Sequence, residues 1–229
     1  MNVVYTCTED IEENGKIFAY QIESDGSLLQ IGEVDAGGTS TCYLTIDYDQ
    51  RNLIAVNYWD SSLAVIPLSK TGEFKGPIQS MYDPRQGKAM LAAAKKHGGV
   101  NHSNNDDSTI AQRQVDPHSH ALVLDPFEGC VAYVVSFVIF FLLMYVISFA
   151  CTVLTFLNRS QPDLGKDLVR EFWYDKENGR IGCEINTLPS GLCTGKPDGP
   201  RYFEFHPKFN VAYVVNELSS TVSHFLCSY

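Results

Sequence analysis

Short apolar runs of strand length, parted by turns rich in Asp, Gly, Ser, Asn and Pro, recur along most of the chain. In Lys16-Ile17-Phe18-Ala19-Tyr20-Gln21-Ile22 polar and apolar positions alternate, and a period of two predicts a strand with one buried face. Val3-Val4-Tyr5 before it, and Leu28-Leu29-Gln30-Ile31 after a Ser-Asp-Gly-Ser turn, read the same way. Further runs fall at 43–46, 53–57 and 63–68, with turns at 47–52 and 60–62. Two more, at 121–124 and 130–134, flank a turn at 125–129. A final pair, 202–205 and 211–215, is joined by His-Pro-Lys-Phe-Asn. Laid over one another, the copies share a rhythm. An apolar run leads into Asp or His, a polar or Pro-containing turn follows, and a buried run then ends near Asn or Asp. Repeats spaced by tens of residues mark propellers and solenoids. With about four short strands per copy and no helical periodicity, the expected fold is all-β, a β-propeller fragment of about four blades.

Two stretches break the rhythm. Residues 85–112, polar and rich in Gly, Asn and Asp after a short helix-compatible piece at 90–96, read as a flexible insertion loop. Residues 131–157 carry no charge and exceed the ~18 residues that flag a membrane span. Hydropathy alone makes this a transmembrane helix. Joining Val134 to Pro162, however, restores the text of a blade: a buried run, a polar turn and an amphipathic strand ending in an Asp-x-x-x-Gly hairpin. A span here would put two strands of one sheet on opposite sides of a bilayer with unpaired edges. Residues 135–161 are therefore expected to be an apolar, helix-compatible insertion such as a translated intron, within a single partial propeller domain covering 1–229. The chain opens in mid-pattern at Val3, and the tail from His224 is expected to break the pattern in mid-strand.

Composition narrows the class. The formal net charge is -10 and no basic block occurs, which argues against nucleic acid and anionic membrane surfaces as partners. The seven cysteines are scattered singly without a C-x-x-C, so neither a disulfide framework nor a zinc site is indicated. Reduced thiols, and an N-terminal stretch without a basic region or a long apolar run, predict a cytoplasmic protein.

Polar groups at the ends of the runs are the candidate chemistry, because strand ends present side chains without giving up core packing. They are Arg201, Asn216 and Glu217, while His118 and His120 fall on the approach to a strand. Each also has a plain structural reading. The histidines suit turn residues bonded to backbone, and Arg201 with Glu217 suits an ion pair at strand ends. His206 reads as a turn residue. A metal held by His118 and His120 lacks a nearby carboxylate or thiol to complete it.

Five motifs then resemble one family. They are Arg-Gln-x-x-Pro-His-x-His (113–120), Pro-Asp-Leu-Gly-x-Asp (162–167), Gly-Pro-Arg (199–201) with Phe-His-Pro, Ala-Tyr-Val-Val-Asn-Glu-Leu (212–218), and Val-Asn-Tyr (56–58). Together they resemble the seven-bladed propeller lactonases of the 6-phosphogluconolactonase type. The resemblance implies hydrolysis of 6-phospho-D-glucono-1,5-lactone to 6-phosphogluconate in the pentose phosphate pathway. It implies no metal or other cofactor, a small phosphorylated sugar lactone as partner, and a monomer. Carried over by motif, His120 or His118 is the base, Arg201 holds the oxyanion or phosphate, and Glu217 orients Arg201 or the histidine. Arg113, Asn57, Asn216 and Asp163 are the implied substrate-binding residues. The family usually has His after Gly-Pro-Arg, where this chain has Tyr202, a neutral phenol that is no base near neutral pH. Three rival readings remain: a cycloisomerase acting on a carboxylated muconate, an inactive propeller fragment, and a single-pass membrane protein. An open arc of about four blades is expected to be weakly active or inactive.

Overall fold

The strand Asn52–Asn57 (β5) is buried at every position. A strand points alternate side chains to opposite faces, so one buried throughout must be covered on both. Leu53 and Ala55 join a core with Ile17 and Ala36, while Ile54 and Val56 join another with Leu122, Val134, Phe172 and Tyr174. The strand therefore lies in a sheet between two neighbouring sheets.

The computed structural model describes residues 2–83, 118–137, 167–191 and 197–227. These form four antiparallel sheets. Blade 1 holds Val3–Cys7 (β1), Asn14–Ile22 (β2) and Leu28–Thr39 (β3). Blade 2 holds Thr41–Ile46 (β4), β5, Ser62–Pro67 (β6) and Ser80–Tyr82 (β7). Blade 3 holds His118–Leu124 (β8), Val131–Phe137 (β9), Leu168–Asp175 (β10) and Arg180–Pro189 (β11). Blade 4 holds Pro200–Phe205 (β12), Val211–Asn216 (β13) and Thr221–Leu226 (β14). The first strand of blade 3, β8, packs against the first strands of both neighbours, β4 and β12. A third core, with Ala121, Val135 and Val169 facing Phe203, Phe205, Ala212 and Val214, joins blades 3 and 4. Successive sheets stacked face to face around their first strands are the arc of a β-propeller, as the repeat predicted.

Several boundaries differ from expectation. β3 runs on to Thr39, and β7 adds a strand where the pattern had faded. The tail does not break off at His224, because β14 pairs with β13 in unbroken register from Asn216 opposite Thr221 to Val211 opposite Leu226. The expected insertion boundary at 135 is also corrected. Val135 and Ser136 are fully buried residues of β9, paired with Val169 and Leu168. The rest of that stretch, and the expected loop at 85–112, lie outside the described residues. Ser136 and Leu168 are Cα partners in one antiparallel pair, so the chain leaves and rejoins the sheet at a single corner. No helix among the described residues is long and apolar enough to cross a membrane.

The first turn of each later blade is held by one acceptor side chain. In blade 2, Asp47 Oδ1 accepts from the backbone N–H of Arg51 (2.7 Å) and Asn52 (3.0 Å). In blade 3, Asp125 accepts from those of Phe127, Glu128, Cys130 and Val131 at 2.7–3.1 Å. In blade 4, His206 Nδ1 takes Lys208 and Phe209 N–H, both at 3.0 Å, which makes His206 a turn residue. Burial pushes the Asp125 carboxyl up, but the N–H donors outweigh it and hold the group below the ordinary carboxylate range. A depressed folded-state pKa gives stability that is present above the unfolded value of about 3.9 and lost as pH falls through the folded value. Asp125→Asn is expected to cost about 2 kcal/mol at neutral pH. Melts in increasingly acid buffer should show the two proteins converging.

Candidate functional site

Each of the three complete first strands departs from regular pairing at one residue. These are Cys42 in β4, between Thr41 and Tyr43, His120 in β8, between Ser119 and Ala121, and Arg201 in β12, between Pro200 and Tyr202. The register makes them equivalent: Asn57 lies opposite Thr41, Ser136 opposite Ser119, and Asn216 opposite Pro200. A bulge leaves one residue unpaired and re-aims its side chain. Three blades thus bring one redirected side chain each to the same end of the arc. Ahead of the bulge in blade 4, Gly199 has φ +65, and a Cβ there would lie 2.6 Å from Leu218 Cγ. Glycine is needed both for the left-handed backbone and for the close approach.

At that end His120, Tyr202, Arg201 and Glu217 form a continuous line. His120 is half-buried, its ring 5.5 Å from Tyr58 and 5.9 Å from Tyr202. Tyr202 in turn lies 6.4 Å from Tyr43. The Arg201 guanidinium carbon sits 5.8 Å over the Tyr202 ring, and Arg201 Nη1 donates to Glu217 Oε2 at 2.5 Å. The bond to Glu217 holds the guanidinium above its ordinary pKa against partial burial, with Tyr202 adding to the effect. The side chains of this pair are 40% and 45% exposed, so its contribution to stability is small and its charges remain open to a ligand. Cys42 lies beside His120, with its Sγ 3.4 Å from the His120 carbonyl oxygen. Burial pushes this thiol up to about 12, so it is a neutral donor and not a nucleophile at neutral pH.

The two histidines part company here. His118 is 2% exposed, stacked on Tyr58 at 4.6 Å and edge-on to Trp59 at 4.9 Å. Its Nδ1 lies 3.2 Å from the Tyr58 carbonyl oxygen. It belongs to the wall between blades 2 and 3, where Ser61 and Ser119 hydroxyls also meet at 2.7 Å.

Asn57 and Asn216, expected to bind substrate, are buried and serve as staples between blades. Asn57 Nδ2 donates to the Ala36 carbonyl of blade 1 and to Ser62 Oγ, both at 3.0 Å, and Thr41 Oγ1 donates to its Oδ1 at 2.7 Å. Asn216 Nδ2 reaches Ser223 Oγ at 2.9 Å and the Ser190 carbonyl at 3.4 Å. Asn57→Ala is expected to cost about 1–3 kcal/mol, by leaving buried polar groups unpaired. A lower denaturation midpoint with an unchanged KM fits the staple, whereas a raised KM at full stability fits substrate contact. Arg113 and Asp163 lie outside the described residues.

Tyr58 and Cys42 were missed by the sequence reading. Tyr58 follows Asn57 as Glu217 follows Asn216, and their N–H groups bond to Ser40 and Gly199 carbonyls at 2.9 and 2.7 Å. Ser61 and Ser220, at φ 51 and 54, close the two turns alike. Overlaying Val-Asn-Tyr on Val-Asn-Glu identifies Tyr58 as the counterpart of Glu217, but no residue pattern marks the bulge at Cys42. Among the described residues, no group of three His, Cys, Asp or Glu could hold a metal ion.

Bulged first strands presenting His120 and an Arg201–Glu217 pair at one end of stacked blades define a β-propeller with an axial polar site. The chain belongs to the family described as lactonase, 7-bladed beta-propeller, which matches residues 1–135 and 158–229. It is 24% identical to a 6-phosphogluconolactonase of Bacillus subtilis over 96% of its own length and 47% of that protein's. A 6-phosphogluconolactonase of Formosa agariphila is also 24% identical, over 93% of this chain and 46% of the relative. The periplasmic gluconolactonase of Pseudomonas aeruginosa shares the fold at a TM-score of 0.64 and 19% identity, covering 100% of this chain and 51% of that one. The chain thus spans about half the length of the curated relatives it matches.

Proposed function

We propose that this propeller hydrolyses a sugar lactone, 6-phospho-D-glucono-1,5-lactone, to 6-phosphogluconate. The observation that carries the reading is the contact line from His120 through Tyr202 to Arg201 and Glu217, in a chain of the lactonase family. His120 accepts a proton from water, whose oxygen attacks the lactone carbonyl carbon. Arg201, with its planar fork, stabilises the oxyanion or grips the phosphate, and Glu217 holds that fork in place. As the tetrahedral intermediate collapses, the bond from carbonyl carbon to ring oxygen breaks. The ring oxygen takes the proton back from His120, leaving an acid that ionises. Tyr202, where the family usually has histidine, offers a phenol and a ring face in place of a second base. His118 is the alternative base, set behind the Tyr58 ring. Arg113 and Asp163 stay proposed as further substrate contacts.

No step here is assigned to a metal or other cofactor. A cytoplasmic location and a monomeric state belong with this reading, and the part of 135–161 that follows β9, most of which the family match omits, is proposed to be an intervening sequence within one propeller domain. The test is acid release from 6-phosphogluconolactone above its spontaneous rate, with binding of 6-phosphogluconate measured alongside. Turnover or binding that disappears in Arg201→Ala supports the reading. A folded chain that neither opens the lactone nor binds the product overturns it.

A further inference from the structure

Arg201 lies in β12 and Glu217 just past the end of β13, and one peptide lies between them. The Gly199 carbonyl accepts from Glu217 N–H at 2.7 Å, and the Asp198 carbonyl accepts from the N–H groups of Leu218 (3.0 Å) and Ser219 (3.1 Å). Two residues further on comes the Arg201 bulge. The N–H groups of the same two residues turn the other way. Both Asp198 N–H and Gly199 N–H donate to one oxygen, Asp167 Oδ2, the Gly199 bond measuring 2.9 Å. Asp167 belongs to blade 3, immediately before β10, and is 6% exposed.

This is not the turn-capping use of Asp47 and Asp125, whose backbone N–H donors all come from the turn that follows within six residues, although Asp47 Oδ2 also accepts from Tyr174 Oη of blade 3 at 3.0 Å. The partners of Asp167 are 31 and 32 residues away, in the next blade. The equivalent corner of blade 2 is also held differently. There Ser40 N–H donates to the Asp10 carbonyl of blade 1 at 2.6 Å and Thr39 N–H to Asp60 Oδ2 of blade 2 itself, so the two donors are not gathered on one oxygen of the preceding blade. A buried carboxylate stands at the corner whose blade carries the Arg–Glu pair. Burial raises the Asp167 pKa, with the Asp198 charge adding to the rise and the Gly199 and Asp198 N–H groups opposing it.

We infer that Asp167 is a positioning residue, whose carboxylate sets the geometry of the Arg201–Glu217 pair by fixing the 198–199 peptide that both depend on. The inference rests on the proposed use of that pair, but its test does not require turnover. Amide hydrogen exchange is compared in the full chain, in Asp167→Asn and in Asp125→Asn, which removes a carboxylate cap of the same blade away from the site. In Asp167→Asn, exchange at Glu217, Leu218 and Ser219 is expected to rise about tenfold or more, with blade 2 unchanged. Asp125→Asn should loosen residues 127–131 and leave 217–219 as they were. Equal protection of 217–219 in the two variants overturns the inference. Where the wild-type chain opens lactone, Asp167→Asn should lower kcat about tenfold with little change in KM. A wild-type chain without turnover defeats the lactonase reading and leaves the exchange comparison to decide on Asp167. If Asp167→Asn does not fold, Asp167→Glu is read instead. Loss of protection confined to 217–219 supports the role, and uniform or absent loss overturns it.

Discussion

Replacing His120 with alanine should reduce lactone opening by about 10²–10⁴-fold, the usual worth of a positioned general base. The expectation follows from its placement at the bulge of β8, half-buried and in ring contact with Tyr202, the ring over which the Arg201 guanidinium also lies. His118→Ala should do something different. That ring fills a wall between blades, stacked on Tyr58 and edge-on to Trp59, so its loss leaves a cavity and lowers stability by about 1–3 kcal/mol. Measuring turnover per folded molecule together with urea midpoints for both variants separates the two roles. If His118→Ala abolishes turnover at unchanged stability while His120→Ala does not, the base has been assigned to the wrong histidine.

The second large effect concerns stability. Phe172→Ala should destabilise the fold by about 3–5 kcal/mol, a large part of the 5–15 kcal/mol typical of a whole domain. Phe172 is fully buried in the core between blades 2 and 3, and its ring meets Tyr82 edge-on at 4.8 Å. Arg170, bonded to Tyr82 Oη at 3.0 Å and paired with Glu184, lies 4.9 Å over the same ring. Truncation therefore removes both the packing of two blades and the seat of a half-desolvated cation. Chemical denaturation of the variant gives the value directly. A loss below about 1 kcal/mol would mean that blades 2 and 3 do not pack in solution as described.

How far the sequence could be read depends on which forces leave a trace in residue order. Short apolar runs bounded by turns, alternating in β2, are such a trace, and they located β2, β5, β6, β12 and β13 to within about two residues. β5 was recognisable because both of its faces are apolar, the mark of a strand between two sheets. β7 left little trace, since Ser80-Met81-Tyr82 is too short to show a period. The end of β9 was misjudged because Val135 and Ser136 merge into a longer apolar run, and hydropathy does not say where a strand stops. At the site, Arg201 and Glu217 were legible as polar groups at strand ends, and the bond between them agrees with that placement. Asn57 and Asn216 occupy similar ends yet point inward, since direction at a strand end is set by tertiary hydrogen bonding to Ala36 and Ser190. Asp167 was visible as the last residue of a family-like motif, but its partners lie in another blade and no local rule connects them.

The corner where β9 ends and β10 begins has a practical use. Ser136 and Leu168 hold the two strands in register on either side of it, and lengthening a connection adds only slowly to the entropy of closing it. A tag, a fluorescent reporter or a foreign epitope grafted in place of 138–157 would leave blade 3 at the end that carries the His120 bulge, because Ser136 lies opposite Ser119. A reporter attached there would sense what approaches that end of the arc.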